Sequence, residues 1–278
     1  MLDTALEALP DGRRVRVARL GQGPPLLLLH GYPDSLQIWS ALAPLLAPSA
    51  TVIAFDWPGM GGSDPWPGAL TPEHMAARVV TLLDHWGLPR ASVLGHDMGG
   101  QPALALAALH PDRVERLVVM NALVLPDEDT SWEIKVLRRY GMYRLVLRHL
   151  ARAVFWRAER TFLPAGVRLP EELRAEMWRW FRRREVRAFV ARLCAAYEGT
   201  LDRLPALYER IECPTLVLWG GRDRHFPPAH AQRLQEAVLH ARLEVLPEGE
   251  HWMAWHDADV VAERVASFLG ASAPILRG

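Results

Sequence analysis

Short runs of apolar, branched side chains recur along the chain, and several of them end just before a glycine or an aspartate. Runs of this length and composition predict buried β-strands. They cover residues 15–20, 26–29, 51–55, 92–94, 116–120, 215–219 and 243–246. Segments of helical length lie between several of these runs, at 38–46, 72–86, 101–109, 228–239 and 260–269. This alternation predicts a mostly parallel sheet with helices on both faces.

One interval, from about residue 130 to 210, has no convincing strand pattern. Its tryptophans, arginines and leucines recur at helical spacing instead. About eighty residues are far too many for a loop between two strands, so we expect a helical insertion with its own small core. The expected division is an α/β core in two parts, at 1–125 and 212–278, and a helical cap at 126–211.

The predicted cap is strongly basic, although the whole chain is neutral. Residues 130–210 contain 17 arginines and one lysine against nine acidic residues, and the rest of the chain carries the opposite excess. A solvated helix face that also pairs with acidic core residues would explain this charge. Attraction of anionic substrates, or of an anionic surface, would explain it as well.

The composition excludes several classes of protein. The 278 residues, half of them hydrophobic, can form one large α/β domain with an insertion. Equal numbers of basic and acidic residues, 32 of each, give no global field that would recruit nucleic acid. Cys194 and Cys213 have no metal-ligand neighbours, no signal-peptide pattern opens the chain, and no run approaches the ~18 apolar residues that span a bilayer. We expect a reduced, soluble, cytoplasmic protein without a metal or other cofactor, whose partners include neither nucleic acid nor a membrane.

A glycine-rich turn with an aspartate at its centre follows the predicted strand at 92–94. The segment 95–100 reads Gly-His-Asp-Met-Gly-Gly and leads into an alanine-rich helix. This is the pattern of a nucleophile elbow, a strained strand-to-helix turn that exposes one side chain. Attack by the carboxylate of Asp97 on an ester carbonyl would give a mixed anhydride, whereas attack on saturated carbon gives an ordinary ester. The turn therefore indicates cleavage of a carbon–halogen bond or of an epoxide carbon–oxygen bond.

Three further motifs extend this pattern in order along the chain. Residues 30–33 read His-Gly-Tyr-Pro, residues 56–64 read Asp-Trp-Pro-Gly-Met-Gly-Gly-Ser-Asp, and Asp223 and His251 follow the last two predicted strands. Together with the Asp97 elbow, they resemble the α/β-hydrolase superfamily, in the branch that contains epoxide hydrolases and haloalkane dehalogenases. The motifs span nearly the whole chain. The resemblance implies the α/β-hydrolase fold with a helical cap.

The same resemblance implies a role for each motif residue. Asp97 would be the nucleophile that forms an alkyl-enzyme ester, His251 the base that activates water, and Asp223 the acid that fixes the imidazole tautomer. The backbone N–H groups of Tyr32 and Met98 would form the oxyanion hole. Some dehalogenases place the acid after the preceding strand, where this chain has three candidates: Asp127, Glu128 and Asp129.

Two reactions share this machinery and differ in how the leaving group is stabilised. In haloalkane dehalogenases, a tryptophan after the nucleophile and an asparagine or second tryptophan hold the halide. This chain has Met98 and Tyr32 at those positions, so a cap tryptophan, Trp156 or Trp178, would have to serve. The similar fluoroacetate dehalogenases carry an arginine after the nucleophile, where Met98 offers no charge.

An epoxide oxygen leaves as an alkoxide, and cap tyrosines protonate it in the epoxide hydrolases. The candidates are Tyr197, Tyr143 and Tyr140, and Tyr197 best resembles the family's second tyrosine. Residues 59–64 and 118–122, in contrast, read more like dehalogenases. We expect an epoxide hydrolase that converts a small, largely apolar substrate and water to a vicinal diol. The alternatives are a haloalkane dehalogenase and a catalytically idle protein that binds a small ligand.

Overall fold

Eight strands form one sheet in a computed structural model of the chain. The structure describes residues 1–126, 130, 132, 135–136, 142–197 and 199–270, and at 142–144 it describes the backbone alone. The strands are β1 Ala5–Ala8, β2 Arg14–Leu20, β3 Pro25–Leu29, β4 Thr51–Phe55, β5 Ala91–His96, β6 Val114–Met120, β7 Thr215–Gly220 and β8 Ala241–Leu246. Their order is β1-β2-β4-β3-β5-β6-β7-β8. β2 pairs antiparallel with β1 and β4, and the other neighbours are parallel.

The described helices alternate with the strands before and after an insertion between β6 and β7. The α-helices are α1 Leu42–Leu46, α2 Pro72–His85, α3 Gly100–Leu109, α4 Met142–His149, α5 Ala151–Phe162, α6 Glu171–Phe181, α7 Arg184–Ala196, α8 Pro228–Ala237, α9 Met253–His256 and α10 Ala258–Leu269. Short 3-10 helices cover Leu36–Ser40, Asp97–Gly99, Pro111–Arg113 and Leu201–Arg210. No helix in the described part of the chain is long and apolar enough to cross a membrane.

The predicted mostly parallel sheet with flanking helices is confirmed, and each of the seven predicted strand runs lies inside a strand. The first strand, β1, was missed because three of its four residues are exposed and it therefore has no apolar run. The predicted helix at 38–46 is a 3-10 helix followed by α1. The division into core and cap remains a prediction. Between β6 and β7, the described residues form four α-helices and a 3-10 helix, and no strand.

The central strands place the functional segments side by side. β3, β5, β6 and β7 are adjacent and parallel, so their carboxyl ends lie at one edge of the sheet. In register, Leu29 pairs with Gly95, and Met120 pairs with His96 on one side and Leu218 on the other. Ligands bind at this edge in open α/β sheets. The loops that leave these four strands therefore form the walls of the site.

A partly buried ion pair fastens α6 to β2 of the sheet. Glu176 on α6 accepts hydrogen bonds from Arg16 Nη1 on β2 (2.6 Å) and from Trp180 Nε1 (2.6 Å). Its other carboxyl oxygen accepts a hydrogen bond from Ser35 Oγ at 3.0 Å. Arg16 also reaches Asp56 Oδ2 at 3.2 Å. Since Ser35 lies just beyond the His-Gly-Tyr-Pro loop, this cluster ties α6 to the edge of the functional site.

Candidate active site

The strand-to-helix turn after β5 holds Asp97 in a strained backbone conformation. Asp97 has φ +51°, in the left-handed region that L-residues other than Asn and Asp rarely adopt. Close packing makes this turn possible: a Cβ on Gly99 would lie 2.2 Å from the Leu29 carbonyl oxygen, and one on Gly95 would lie 2.5 Å from the Gly99 carbonyl oxygen. Glycine is therefore required at both positions, as expected for an elbow that presents one side chain.

Two backbone N–H groups face the Asp97 carboxylate. The N–H of Tyr32 donates to Asp97 Oδ2 at 2.6 Å, and the N–H of Met98 also donates to this carboxylate. A Cβ on Gly31 would lie 2.4 Å from the Asp97 Cβ, so the loop after β3 can approach only because it carries glycine there. Both predicted oxyanion-hole donors therefore form hydrogen bonds to the carboxylate of Asp97. They would stabilise negative charge that develops on this group during ester hydrolysis.

His251 and Asp223 form a buried pair beside Asp97. His251 Nδ1 lies 2.8 Å from Asp223 Oδ2. Asp223 Oδ1 accepts the backbone N–H groups of His225 (2.7 Å) and Phe226 (3.1 Å). The second ring nitrogen of His251, Nε2, is buried and has no hydrogen-bond partner among the described residues. The hydrogen bond at Nδ1 thus fixes the tautomer that leaves Nε2 as a base.

Burial and charge shift the pKa values of these three groups in different directions. Burial raises the pKa of Asp97 to about 6, although the nearby His251 and the two N–H donors oppose the rise. Burial alone would also raise the pKa of Asp223, but the charge and hydrogen bond of His251 hold it below its usual value. Burial would lower the pKa of His251, yet Asp223 and Asp97 together raise it. Opposite shifts on two carboxyl groups of one site are typical of distinct chemical roles.

Asn121, which sequence reasoning missed, connects three loops of the site. Its carbonyl oxygen accepts the N–H of Asp97 at 3.1 Å, and its Oδ1 accepts the N–H of Gly220 at 2.9 Å. Its Nδ2 donates to the Glu250 carbonyl oxygen at 3.0 Å and lies 3.3 Å from that of His251. Like Asp97, it has a positive φ, +41°. An asparagine directly after a buried strand was the available sequence signal, because asparagine tolerates this conformation.

A second missed residue, Asp34, is a buried carboxyl group beside Asp97. Burial and the charge of Asp97 raise the pKa of Asp34 well above its usual value, against the opposing effect of His251. Its Oδ2 lies 3.9 Å from His96 Nδ1, and His96 Nε2 lies 2.9 Å from the His251 carbonyl oxygen. Burial lowers the pKa of His96 to about 3. Asp34 and His96 therefore form a neutral, polar floor under the Asp97–His251 pair.

A mostly apolar cavity of about 270 Å³ opens onto Asp97. Phe162 lies on its wall with its ring centroid 4.2 Å from that of His251, and Phe226 lies 5.4 Å from the same ring. Polar groups are few, and they include Tyr32 and Thr161. This volume lies near the lower end of the range of ~300–1,000 Å³ found for ligand pockets. The cavity suits a small, apolar molecule.

A family model described as alpha/beta hydrolase fold matches residues 24–258. This chain belongs to the α/β-hydrolase fold family. This α/β hydrolase is 30% identical over 259 residues to a 2-hydroxy-6-oxononadienedioate/2-hydroxy-6-oxononatrienedioate hydrolase of Cupriavidus pinatubonensis. The alignment covers 88% of this chain and 86% of that protein. It is 38% identical over 117 residues to a soluble epoxide hydrolase of Corynebacterium sp., across 42% of this chain and 41% of that protein.

Solved structures share the fold of this α/β hydrolase. The haloalkane dehalogenase DbeA from Bradyrhizobium elkani superposes with a TM-score of 0.81 over 96% of this chain and 98% of its own, at 24% identity. At this identity, the likeness shows the fold and leaves the reaction open. The chemistry has to be inferred from the residues around Asp97.

Three of the insertion residues predicted to assist the leaving group lie in the described part of the chain, and these three do not line the Asp97 cavity. Tyr197 is buried at the end of α7 and is not part of the cavity wall. Trp156 and Trp178 line a separate groove, and the Trp178 ring packs against those of Phe155 and Phe181. Trp132, which sequence reasoning did not single out, does line the cavity.

Five other predicted candidates cannot be placed. Tyr140 and the side chain of Tyr143 lie outside the described residues, as do Asp127, Glu128 and Asp129. Because Asp223 already contacts His251, the three acidic candidates are not needed to complete the triad. Tyr140 and Tyr143 remain predictions.

Proposed function

We propose that this α/β hydrolase opens a small epoxide through a covalent ester on Asp97 and releases a vicinal diol. The observation that carries the proposal is the Asp97 carboxylate itself, at the tip of the elbow, with its Oδ2 on the oxyanion-hole donor Tyr32 N–H. A serine at this place would attack carbonyl carbon, whereas a carboxylate suits displacement at saturated carbon. Its pKa of about 6 leaves Asp97 ionised, and therefore nucleophilic, at neutral pH.

In the first step, one Asp97 oxygen attacks an epoxide carbon and the carbon–oxygen bond breaks. The oxygen held by the Tyr32 N–H becomes the carbonyl oxygen of the ester, so the other oxygen is the nucleophile. The departing epoxide oxygen takes a proton from a donor in the cavity. The wall brings two groups of this kind, Tyr32 and His225, and Tyr140 and Tyr143 stay candidates from the sequence. Thr161 also lines the wall, but its hydroxyl donates to the Arg157 carbonyl oxygen at 2.9 Å.

In the second step, His251 Nε2 removes a proton from water, and the hydroxide adds to the Asp97 carboxyl carbon. The negative charge develops on the oxygen that faces the N–H groups of Tyr32 and Met98. The intermediate collapses by breaking its bond to the alkyl oxygen, which takes the proton from His251. The diol leaves, and Asp97 retains one oxygen from water. Asp223 stabilises the imidazolium that forms in between.

Haloalkane dehalogenation is the second candidate, because it forms the same ester on Asp97 and because residues 59–64 and 118–122 read more like dehalogenases. A leaving halide needs N–H donors such as tryptophan. Met98 follows Asp97, and the predicted Trp156 and Trp178 do not line the cavity, although Trp132 does. The hydroxyl group of Tyr32 in the wall favours a leaving oxygen instead.

Hydrolysis of a 2-hydroxy-6-oxononadienedioate, the substrate in the name of the Cupriavidus pinatubonensis relative, has less support here. Attack of Asp97 on a carbonyl would give a mixed anhydride. A non-catalytic binding role would leave unexplained why His251 Nε2 is directed away from Asp223 and has no partner among the described residues.

The test is to trap the ester with His251→Gln, which removes the base needed for the second step. After incubation with styrene oxide, the tryptic peptide containing Asp97 should gain the mass of the epoxide. With 1-bromohexane, an adduct would add a hexyl group in place of a proton and release bromide. The Asp97→Asn/His251→Gln double variant should show no gain with either compound. Diol and bromide release by the wild type rank the two reactions. An adduct from bromohexane alone, with bromide release and no diol, would replace epoxide hydrolysis by dehalogenation.

A further inference from the structure

The carboxyl end of α5 lies against the loop that carries His251. Phe162 is the last residue of α5, and its backbone carbonyl oxygen accepts the N–H of Trp252 at 3.0 Å. The last carbonyl groups of a helix have no partner within that helix, so this bond satisfies one of them from the loop. Trp252 directly follows His251 in the chain. The insertion is therefore hydrogen-bonded to the loop after β8, one residue away from the predicted base.

The side chain of Phe162 contacts the imidazole of His251. Four aromatic rings among the described residues lie near this imidazole, and the ring of Phe162 is the nearest, with 4.2 Å between the centroids. The others belong to β5 and to the loop after β7: His96 at 4.8 Å, Phe226 at 5.4 Å and His225 at 5.9 Å. Within the described part of the insertion, Phe162 is thus the residue whose ring packs on His251.

The direction of the free nitrogen of His251 depends on this packing. Asp223 holds Nδ1 at 2.8 Å, and that hydrogen bond fixes the tautomer but does not by itself fix the tilt of the ring. A catalytic side chain keeps its productive geometry when its neighbours pack against it. Phe162 is 6% exposed, so its ring also shields the imidazole from bulk water. The direction of Nε2 therefore depends on Asp223 at one end of the ring and on Phe162 at its face.

We propose that Phe162 is the positioning residue of His251, through which the insertion controls hydrolysis of the ester on Asp97. This inference rests on the proposed epoxide hydrolysis, in which His251 acts as a base in the second step alone. Ester formation uses the Asp97 carboxylate and a proton donor, so it should be largely independent of the contact. Ester hydrolysis needs Nε2 within hydrogen-bond reach of the attacking water. Loss of the Phe162 ring should therefore slow the second step selectively.

The kinetic test compares Phe162→Leu with Phe155→Leu by rapid-quench measurement of the Asp97 adduct with saturating styrene oxide. Phe155 is the matched control, because it is buried on the same helix, packs against Trp178 and Phe181, and is not part of the Asp97 cavity wall. In Phe162→Leu, ester hydrolysis should slow by roughly tenfold to a hundredfold, as expected for a catalytic group displaced by about 1 Å. Ester formation should stay close to the wild-type rate, so the adduct should accumulate.

The two rate constants also show what would contradict the inference. Phe155→Leu should change neither step, although it too removes a ring from a buried site. Hydrolysis at the wild-type rate in Phe162→Leu would overturn the positioning role. Equal slowing of both steps in Phe162→Leu would overturn it as well, because a merely structural residue would act on both.

A labelling test follows the contact without any turnover. Diethyl pyrocarbonate acylates neutral imidazole nitrogen, and the buried Nε2 of His251 should react slowly in the wild type at mildly alkaline pH. The tryptic peptide 243–264 also contains the exposed His256, which serves as an internal reference when fragmentation assigns the label. Labelling of His251 relative to His256 should rise several-fold in Phe162→Leu and stay unchanged in Phe155→Leu.

This labelling separates failure of the contact from failure of the reaction. If no variant forms an ester on Asp97 from styrene oxide, but Phe162→Leu opens His251 to the label, the contact stands and the proposed epoxide hydrolysis fails. If the wild type forms and hydrolyses the ester, but labelling of His251 is the same in the wild type and in Phe162→Leu, the reaction stands and the positioning role of Phe162 is overturned.

Discussion

The two sides of α5 hold charge in opposite ways. Towards the sheet, Asp97, His251 and Asp223 are buried. Asp97 accepts the Tyr32 N–H, and Asp223 accepts the His225 N–H and contacts Nδ1 of the His251 ring. The groove between α5 and α6 lies on the other side, and most of the arginines in its described lining are exposed: Arg152, Arg157, Arg160, Arg168 and Arg224 are exposed and Arg174 is partly buried. Fixed, buried dipoles stabilise a transition state strongly, whereas exposed charges act weakly and lose effect with salt. The core side therefore suits bond making and breaking, and charges on the groove side contribute little to it.

Loss of the nucleophile should have the largest effect and should occur on the core side alone. Asp97→Ala is expected to reduce kcat by roughly 10⁴-fold or more, as removal of a covalent nucleophile does. The fold should persist, because the variant removes a carboxyl group whose burial is unfavourable. Diol release and thermal unfolding check both statements. Activity within about tenfold of the wild type would place the chemistry away from Asp97.

Asp223→Asn should rank next. The amide can still contact His251, but it cannot stabilise an imidazolium and it favours the wrong tautomer, so kcat should fall by roughly 10³- to 10⁴-fold. The loss should fall on ester hydrolysis, so the Asp97 peptide should carry adduct during turnover. Asp202→Asn, an exposed insertion carboxylate, is the control. A fall in kcat without adduct would mean that Asp223 serves the first step instead.

The dependence on pH distinguishes the two steps of the core site. Asp97 attacks only when ionised, and its pKa is about 6, so ester formation should fall by about tenfold per pH unit below that value. His251 must be neutral to activate water, and its pKa is raised by Asp223, so ester hydrolysis should fall already at a higher pH. Rapid-quench measurement of the Asp97 adduct follows each step. If ester formation were independent of pH through this range, the raised pKa of Asp97 would be contradicted.

Loss of the ion pair between Arg16 on β2 and Glu176 on α6 should have a moderate effect, mainly on stability. Glu176→Gln keeps the shape but removes the charge that Arg16, Ser35 and Trp180 contact. These contacts are largely buried, so the free energy of unfolding should fall by about 1–3 kcal/mol. Urea unfolding measures this loss, and Glu172→Gln, on the exposed face of α6, is the matched control. Equal stability of the two variants would mean that Glu176 does not fasten α6 to the core.

The difference between the two regions also explains what the sequence could predict. Asp97, Asp223 and His251 follow parallel strands whose ends must lie together, so their order along the chain implied their proximity. Asn121 acts through backbone groups of three loops, and its place directly after β6 was the one sequence signal for it. Asp34 acts through its burial, which no single-residue pattern reveals. The insertion has no sheet to fix its register. Which side of α5 or α7 faces the cavity depends on how the helices dock, and helical periodicity does not specify that.

Tyr197 provides the smallest expected effect and the sharpest comparison between the two regions. The family resemblance implied that Tyr197 protonates the leaving oxygen, but Tyr197 does not line the cavity. Tyr197→Phe should therefore change kcat/KM for an epoxide by less than about threefold. Loss of a general acid would cost roughly 10²- to 10⁴-fold. The matched control is Tyr208→Phe, a buried insertion tyrosine whose hydroxyl donates to the Val124 carbonyl oxygen. That variant should lose stability and keep a similar kcat/KM. A loss of a hundredfold or more in Tyr197→Phe alone, at unchanged stability, would return the acid role to Tyr197. It would also mean that the insertion contributes to the chemistry.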